Sequence, residues 1–336
     1  MLRLRHIAFF CSIMLSDLIV LDNEITEGRK IIMDTKAFSD IAAFLPKRLG
    51  NAALGLSENI RAGASEIRLR VGQPMSVTVM DRQVIVSKWG GEASSANMGI
   101  IPTSEELSAV FETACRSSVH CFRREISMGF VTVKGGHRIG FCGTAVRSDD
   151  NSVSVSHISG INCRIARQIS GAADELAMHI PQKGGLLLAG TPCSGKTTYL
   201  RDLCRILGNK SKVSLIDDTG EIAAVYRGEA QNRVGMFTDI LSGYGKADGL
   251  MTAVRVMSPQ YIICDEIGGE DECRSIEMSA NSGVKFIAAV HAADKTELIL
   301  RPQIKKLIKK GIFTRAAFLE KCTIKSITDI TERDLK

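Results

Sequence analysis

Eight consecutive residues, Gly190-Thr191-Pro192-Cys193-Ser194-Gly195-Lys196-Thr197, fit the pattern G-x-x-x-x-G-K-[ST] at every defined position. Glycines let the backbone curl until its N–H groups face a single anion, and the N-terminus of a following helix adds positive potential at that point. Such a loop is built to cradle the phosphates of ATP, with contacts running from Gly190 to Thr198. In this chemistry Lys196 bridges the β- and γ-phosphates and Thr197 ligates Mg²⁺.

A second run, Tyr261-Ile262-Ile263-Cys264-Asp265-Glu266, is apolar until it ends in two carboxylates. Asp265 is placed to hold Mg²⁺ through water, and Glu266 to orient or deprotonate an attacking water. A glutamate there favours hydrolysis over transfer of the phosphoryl group. The alternative is a solvated acidic pair at a strand end. Two more runs end in groups able to reach the same crevice, Ile216-Asp217-Asp218-Thr219-Gly220-Glu221 and Ala289-Val290-His291-Ala292. His291 is suited to sense a γ-phosphate by hydrogen bonding, though a lone histidine at a strand end also serves structure.

These residues need a scaffold that brings distant strand ends together. Short, fully apolar runs (Gly185 to Ala189, Val213 to Ile216, Tyr261 to Cys264, Phe286 to Val290) alternate with helical segments, as buried parallel strands do. The expected fold is α/β: a RecA-like P-loop core with a doubly wound, mainly parallel sheet. In an open sheet of this kind ligands bind beyond the carboxyl ends of the strands. A helix from Lys196 to Leu207 should leave the phosphate loop.

Ahead of this core the patterning differs. From Phe38 to Leu56 apolar residues recur at helical spacing, interrupted at Pro46. Residues 66–71 and 75–79 then alternate apolar with polar around the turn Gly72-Gln73-Pro74, the signature of a hairpin. Ser104 reads as the N-cap of a helix running to about Ser117, with Glu105 and Glu106 in its first turn. Further strands are expected at 129–133 and 137–143, around the turn Lys134-Gly135-Gly136. A Ser/Asp/Asn-rich stretch at 148–156 should separate them from Ile158 to Ile169. These elements make a smaller α+β domain over residues 34–175, with the ATPase core at 176–336 and the boundary near Gly171 and Pro181.

The bulk composition excludes several classes. Over 336 residues, 43 basic side chains are interspersed with 37 acidic ones, and aromatics are 5% with Trp89 the sole tryptophan. A nucleic-acid-stimulated ATPase would need a basic groove with aromatic platforms, so no specific nucleic-acid partner is expected. Lys305, Lys306, Lys309 and Lys310 have the spacing of one helix face, read as solvated, with an anionic lipid or partner contact as the alternative. The 10 cysteines lie singly, without metal-ligand spacing, and read as reduced, buried, cytosolic thiols. Ile7 to Leu21 is apolar but short and carries Asp17. Residues 1–33 are read as an N-terminal extension, with 1–32 upstream of a native start at Met33 and a membrane-associating segment or an ordinary helix as the alternatives.

Taken together, these motifs resemble the secretion-type (VirB11-, PilT- and GspE-like) ATPases, and within that group the stage III sporulation AA family. The segments 67–74 (Ile-Arg-Leu-Arg-Val-Gly-Gln-Pro), 135–143 (Gly-Gly-His-Arg-Ile-Gly-Phe-Cys-Gly), 162–167 (Asn-Cys-Arg-Ile-Ala-Arg) and 257–259 (Met-Ser-Pro) carry the likeness, which spans about residues 34 to 320. The resemblance implies that Asp218 and Glu221 form an acidic box, with Glu221 polarising water alongside Glu266. It makes Arg255 a nucleotide- or carboxylate-contacting arginine, and Arg164 and Arg167 sources of charge across a subunit boundary or surface ion pairs. Thr219-Gly220 and Ala288-Ala289 depart from the group's usual acidic and histidine boxes. The implied assembly is a homo-hexameric ring, for which the Gly-rich connection Tyr226 to Gly249, with Arg227 and Arg233, offers intersubunit contact. The implied role is to energise a membrane-embedded export or channel-like complex during endospore formation, from the mother-cell cytoplasm and peripheral to that membrane. A nucleic-acid-stimulated RecA-like ATPase and a nucleotide-gated scaffold are the remaining alternatives, and Glu266 argues against a small-molecule kinase.

Overall fold

The computed structural model describes residues 35–80, 82–115, 129–147, 153–280 and 283–335. The expected N-terminal extension, 1–33, lies outside the described residues. The chain divides into two compact units, Met1–Arg167 and Gln168–Lys336, ahead of both Gly171 and Pro181.

In the first unit three short helices (Lys36–Phe44, Lys47–Leu54 and Glu58–Gly63) precede a six-stranded sheet. Pro46 separates the first two helices as anticipated, since its ring fixes φ and removes an N–H donor. The strands are β1 (Ala64–Arg70), β2 (Gln73–Val79), β3 (Arg82–Ile85), β4 (Phe130–Thr132), β5 (Arg138–Arg147) and β6 (Val153–Arg164), in the order β3-β2-β1-β6-β5-β4. Each neighbouring pair is antiparallel. Alternation along β1 sends Ile67 and Leu69 into the core beside Ile161, Cys163 and Ile139 of the neighbouring strands.

Two expectations are corrected here. The helix Ser104–Cys115 is capped by Thr103 and not by Ser104: Glu106 N–H donates to Thr103 Oγ1 (3.2 Å) and Thr103 N–H donates to a Glu106 carboxylate oxygen (3.0 Å). That reciprocal pair is a capping box, one residue upstream of where the acidic first turn suggested. The polar stretch at 148–156 is also not wholly a separator, because β6 begins at Val153 and pairs residues 153–156 with 144–147 of β5. Val153 and Val155 alternate there with Ser154 and Ser156, the two-residue period of a strand.

The second unit is a seven-stranded sheet in the order β13-β12-β7-β11-β10-β8-β9. Its strands are β7 (Gly185–Gly190), β8 (Val213–Asp217), β9 (Thr238–Ser242), β10 (Tyr261–Cys264), β11 (Lys285–Val290), β12 (Phe313–Glu320) and β13 (Thr323–Asp329). Every pairing from β12 across to β9 is parallel, and only β13 runs antiparallel. After β7 the chain builds β8 to β11 on one side and then crosses to place β12 and β13 on the other. Both faces are covered, which is why the strands read as continuous apolar runs. Leu186, Leu188, Ile263 and Ile287 pack on the face that carries the helix Lys196–Gly208. Leu187, Ala189, Ile262 and Phe286 pack on the other, with Leu250, Ile276, Leu298 and Leu307 from the helices there.

The Gly-rich stretch 226–249 departs from the long connection expected. It contains the edge strand β9, paired in register with β8, and the start of the helix Lys246–Thr252. Thr238-Asp239-Ile240-Leu241-Ser242 buries only Leu241, so an edge strand with little apolar content left no run to detect. At the far edge, Lys321 and Cys322 join β12 to β13 as a two-residue turn with φ of +49° and +57°, the left-handed pair of a type I′ hairpin. The helix Pro302–Lys309 carries the lysine cluster; Lys306 and Lys310 each meet a Glu277 oxygen at 2.8 Å. No helix of the described residues is long and apolar enough to cross a membrane.

Candidate nucleotide-binding site

The phosphate loop leaves β7, whose position near the middle of the sheet puts it where the chain reverses its direction of winding. Gly195 has φ +96°, a left-handed conformation that glycine adopts without strain. A Cβ on Gly190 would lie 2.8 Å from the Leu319 carbonyl oxygen, so the first glycine is demanded by close approach. The tip of the β12–β13 hairpin braces the loop from outside: Cys322 N–H donates to Ser194 O at 3.2 Å, and Cys322 Sγ lies 3.9 Å from Cys193 O. Cys193 itself sits at φ +63°.

Lys196, the first residue of its helix, is 9% exposed. Its ammonium donates to the main-chain oxygens of Gly190 and Thr191, both at 2.8 Å, and lies 3.3 Å from His291 Nδ1. Burial lowers its pKa, opposed by the nearby Glu266 and Asp265 carboxylates. His291, at the end of β11, turns its other ring nitrogen to Glu266, with Nε2 2.7 Å from the carboxylate. Glu266, His291 and Lys196 thus form one continuous polar chain across the carboxyl ends of β10, β11 and β7.

These groups line one cavity of about 520 Å³ together with Pro192, Cys193, Thr197, Asp265 and Glu221. Asp265 is 9% exposed and accepts a hydrogen bond from Thr219 Oγ1 at 3.0 Å. Glu221 is brought in by the loop after β8, which Arg201 holds by donating to the carbonyls of Glu221 (2.6 Å) and Ile222 (3.1 Å). Asp217 closes that loop from beneath, accepting the N–H groups of Ile222 (3.2 Å) and Ala223 (2.8 Å).

Several residues singled out in the sequence lie elsewhere. Asp218 does not line the cavity. Arg255 is exposed on a wide helical turn, Ala253–Met257, that continues the Lys246–Thr252 helix, and it is not among the cavity's lining residues. Arg164 and Arg167 belong to the first unit, where Arg167 donates to Arg61 O at 3.2 Å. Arg227 stacks over Tyr226 at 5.8 Å. The main chain of Arg233 exchanges two hydrogen bonds with the Gln168 side chain.

Other lining residues had no signal of their own: Thr219, Lys246, Gly268, Gly269 and Glu272. The pair Gly268-Gly269, separated from Glu266 by one residue, is the visible hint. Lys246 is placed only by the unforeseen β9, which delivers the following helix to the cavity.

The donor set fits a nucleotide triphosphate with Mg²⁺. The loop offers main-chain donors at a helix N-terminus and a buried lysine, and Ser194 Oγ is buried with no hydrogen-bond partner among the described residues. Thr197 and Asp265 supply the hydroxyl and carboxylate that Mg²⁺ prefers, being a hard cation.

A mainly parallel sheet with a phosphate loop on the central strand β7 and carboxylates at the ends of β10 and β8 defines a P-loop protein of RecA-like fold. Solved structures share it: the ATPase DotB of Legionella pneumophila aligns with a TM-score of 0.50 at 16% identity, over 82% of this chain and 75% of that one. The pilus retraction motor PilT, solved with bound ADP, aligns with a TM-score of 0.54 at 18% identity, over 78% and 75%. At the level of sequence, the profile of the family described as Sporulation stage III, protein AA matches residues 40–332. Stage III sporulation protein AA of Bacillus subtilis (strain 168) is 31% identical over 285 residues, covering 82% of this chain and 89% of that protein. The chain belongs to the Sporulation stage III, protein AA family.

Proposed function

We propose that this chain is a Mg²⁺-dependent ATPase of the secretion type that works as a homo-hexameric ring and energises a membrane-embedded complex during endospore formation, from the mother-cell cytoplasm. The observation that carries the hydrolytic part is the convergence of Glu266, His291 and Lys196 on the cavity that Thr197 and Asp265 also line. In this reading Lys196 exchanges its main-chain acceptors for the β- and γ-phosphate oxygens. Glu266 takes the proton of the attacking water, Glu221 helps orient that water, and His291 links the state of the γ-phosphate to Glu266. Held by Thr197 and Asp265, Mg²⁺ would supply charge neutralisation for the phosphates. Arg255 is assigned to a neighbouring subunit's nucleotide or carboxylate, since it is exposed and outside its own cavity.

The motor part is supported by the family and by the fold shared with a pilus retraction motor. Phosphate release from ATP by the full chain, run beside a sizing measurement with nucleotide, tests both parts. Lys196→Ala should abolish ATP binding and release together. A chain that binds ATP without turnover, even with its membrane partner, would instead be a nucleotide-gated scaffold, and a fully active monomer would sink the ring.

A further inference from the structure

We propose that Lys246 is a positioning residue: it holds the turn after Asp265-Glu266 in the conformation that aims the Glu266 carboxylate at His291. The proposal rests on the ATPase reading of the cavity. Lys246 opens the helix Lys246–Thr252, its side chain is 14% exposed, and it lines the cavity. Its ammonium donates to the main-chain oxygen of Glu266 and lies 3.7 Å from the Glu272 carboxylate. The other Glu272 oxygen accepts the N–H groups of Gly268 and Gly269, each at 3.0 Å. Between them, Ile267 N–H donates to Ala289 O at 2.9 Å.

The run from Glu266 to Gly269 belongs to no helix or strand and ends in two glycines, whose backbone is conformationally permissive. Its hold comes from a cation at one end, a carboxylate at the other and one β11 carbonyl in the middle. Glu272 alone has an ordinary explanation, because a glutamate at the third position of a helix commonly reaches back to the N-cap amide. That explanation does not account for Lys246, which comes from another element. Nor does it account for the atom Lys246 chooses. By binding the carbonyl of Glu266 it leaves the carboxylate to His291, 2.7 Å away. A shift of about 1 Å in a catalytic group can cost on the order of 100-fold in rate, so this turn is a place where geometry governs turnover.

The test compares wild-type full chain with Lys246→Met and Lys246→Arg, measuring kcat, KM, equilibrium binding of a fluorescent ATP analogue and thermal unfolding. Lys246→Met should lower kcat about 10- to 100-fold while KM and analogue affinity stay within about twofold, and Lys246→Arg should recover most of the loss. A parallel fall in affinity would make Lys246 a direct phosphate ligand and overturn the positioning role. So would a lowered unfolding temperature with unchanged kcat per folded molecule, or no change at all. If wild type itself binds the analogue without releasing phosphate, it is the ATPase reading that fails, whatever the variants do.

Discussion

Two adjacent strands of the parallel sheet, β8 and β10, carry an aspartate at the same end, and the two carboxylates have opposite surroundings. Ile216 and Cys264 are cross-strand partners, so Asp217 and Asp265 begin side by side. Asp217 is 0% exposed and takes two main-chain N–H groups from the loop that follows it. Asp265 faces the cavity and accepts from a single hydroxyl, Thr219. The difference lies in the next few residues. After β8 the chain folds back over the carboxylate and closes the acidic loop, whereas after β10 it runs out through Ile267 to two glycines and leaves the carboxylate open. A strand end supplies the address; the loop that follows decides between structure and chemistry.

This contrast can be broken by substitution. The largest effect should come from Glu266→Gln beside the open carboxylate: turnover should fall by about 10²–10⁴-fold, the usual worth of a general base, with the unfolding temperature unchanged. A variant that still hydrolyses ATP normally would remove Glu266 from the chemistry. On the closed side the readout reverses. Asp217→Ala leaves two buried N–H groups without acceptors, at about 1–3 kcal/mol each, so denaturant unfolding should report a large loss of stability.

The pH dependence sharpens the comparison further. Burial raises the Asp217 pKa above its ordinary 3.8, against the main-chain N–H bonds that lower it. The folded chain then binds that proton more tightly than the unfolded chain does. Its contribution to stability is present below 3.8 and is lost as pH rises through the folded pKa. The advantage of wild type over Asp217→Asn should therefore shrink upward from that pH; an advantage that widens would mean the N–H bonds outweigh burial. The smallest effect belongs to the other unit. Thr103→Ala removes half of the capping box and should cost about 1 kcal/mol in unfolding free energy, with turnover untouched. The exposed Arg48–Glu106 pair beside it contributes less, since solvent screens it.

How much of this could be read beforehand follows from the same physics. The phosphate loop, the acidic pair and His291 were visible because each terminates an apolar run whose burial on both faces imposes a uniform composition. Asp217 was read only as part of the run from Ile216 to Glu221, and nothing in its type distinguishes it from Asp265. Only the fold shows which carboxylate the backbone closes over. β9 escaped notice because an edge strand buries one side chain in five, and with it went Lys246, whose place depends on topology and not on any local pattern. The cap of the Ser104–Cys115 helix was misplaced by one residue because Thr103 and Ser104 are equally good caps by type, and only the reciprocal bond to Glu106 separates them.

The hairpin turn Lys321-Cys322 has a consequence for how the chain is made. Every residue lining the cavity lies between Pro192 and His291, so a nascent chain that has reached His291 already carries the whole chemistry. The outer wall of the phosphate loop, the Cys322 amide on Ser194 O, comes later in synthesis. Until β12 has paired with β7 and turned back into β13, the loop has its sequence but lacks the Cys322 amide on Ser194 O.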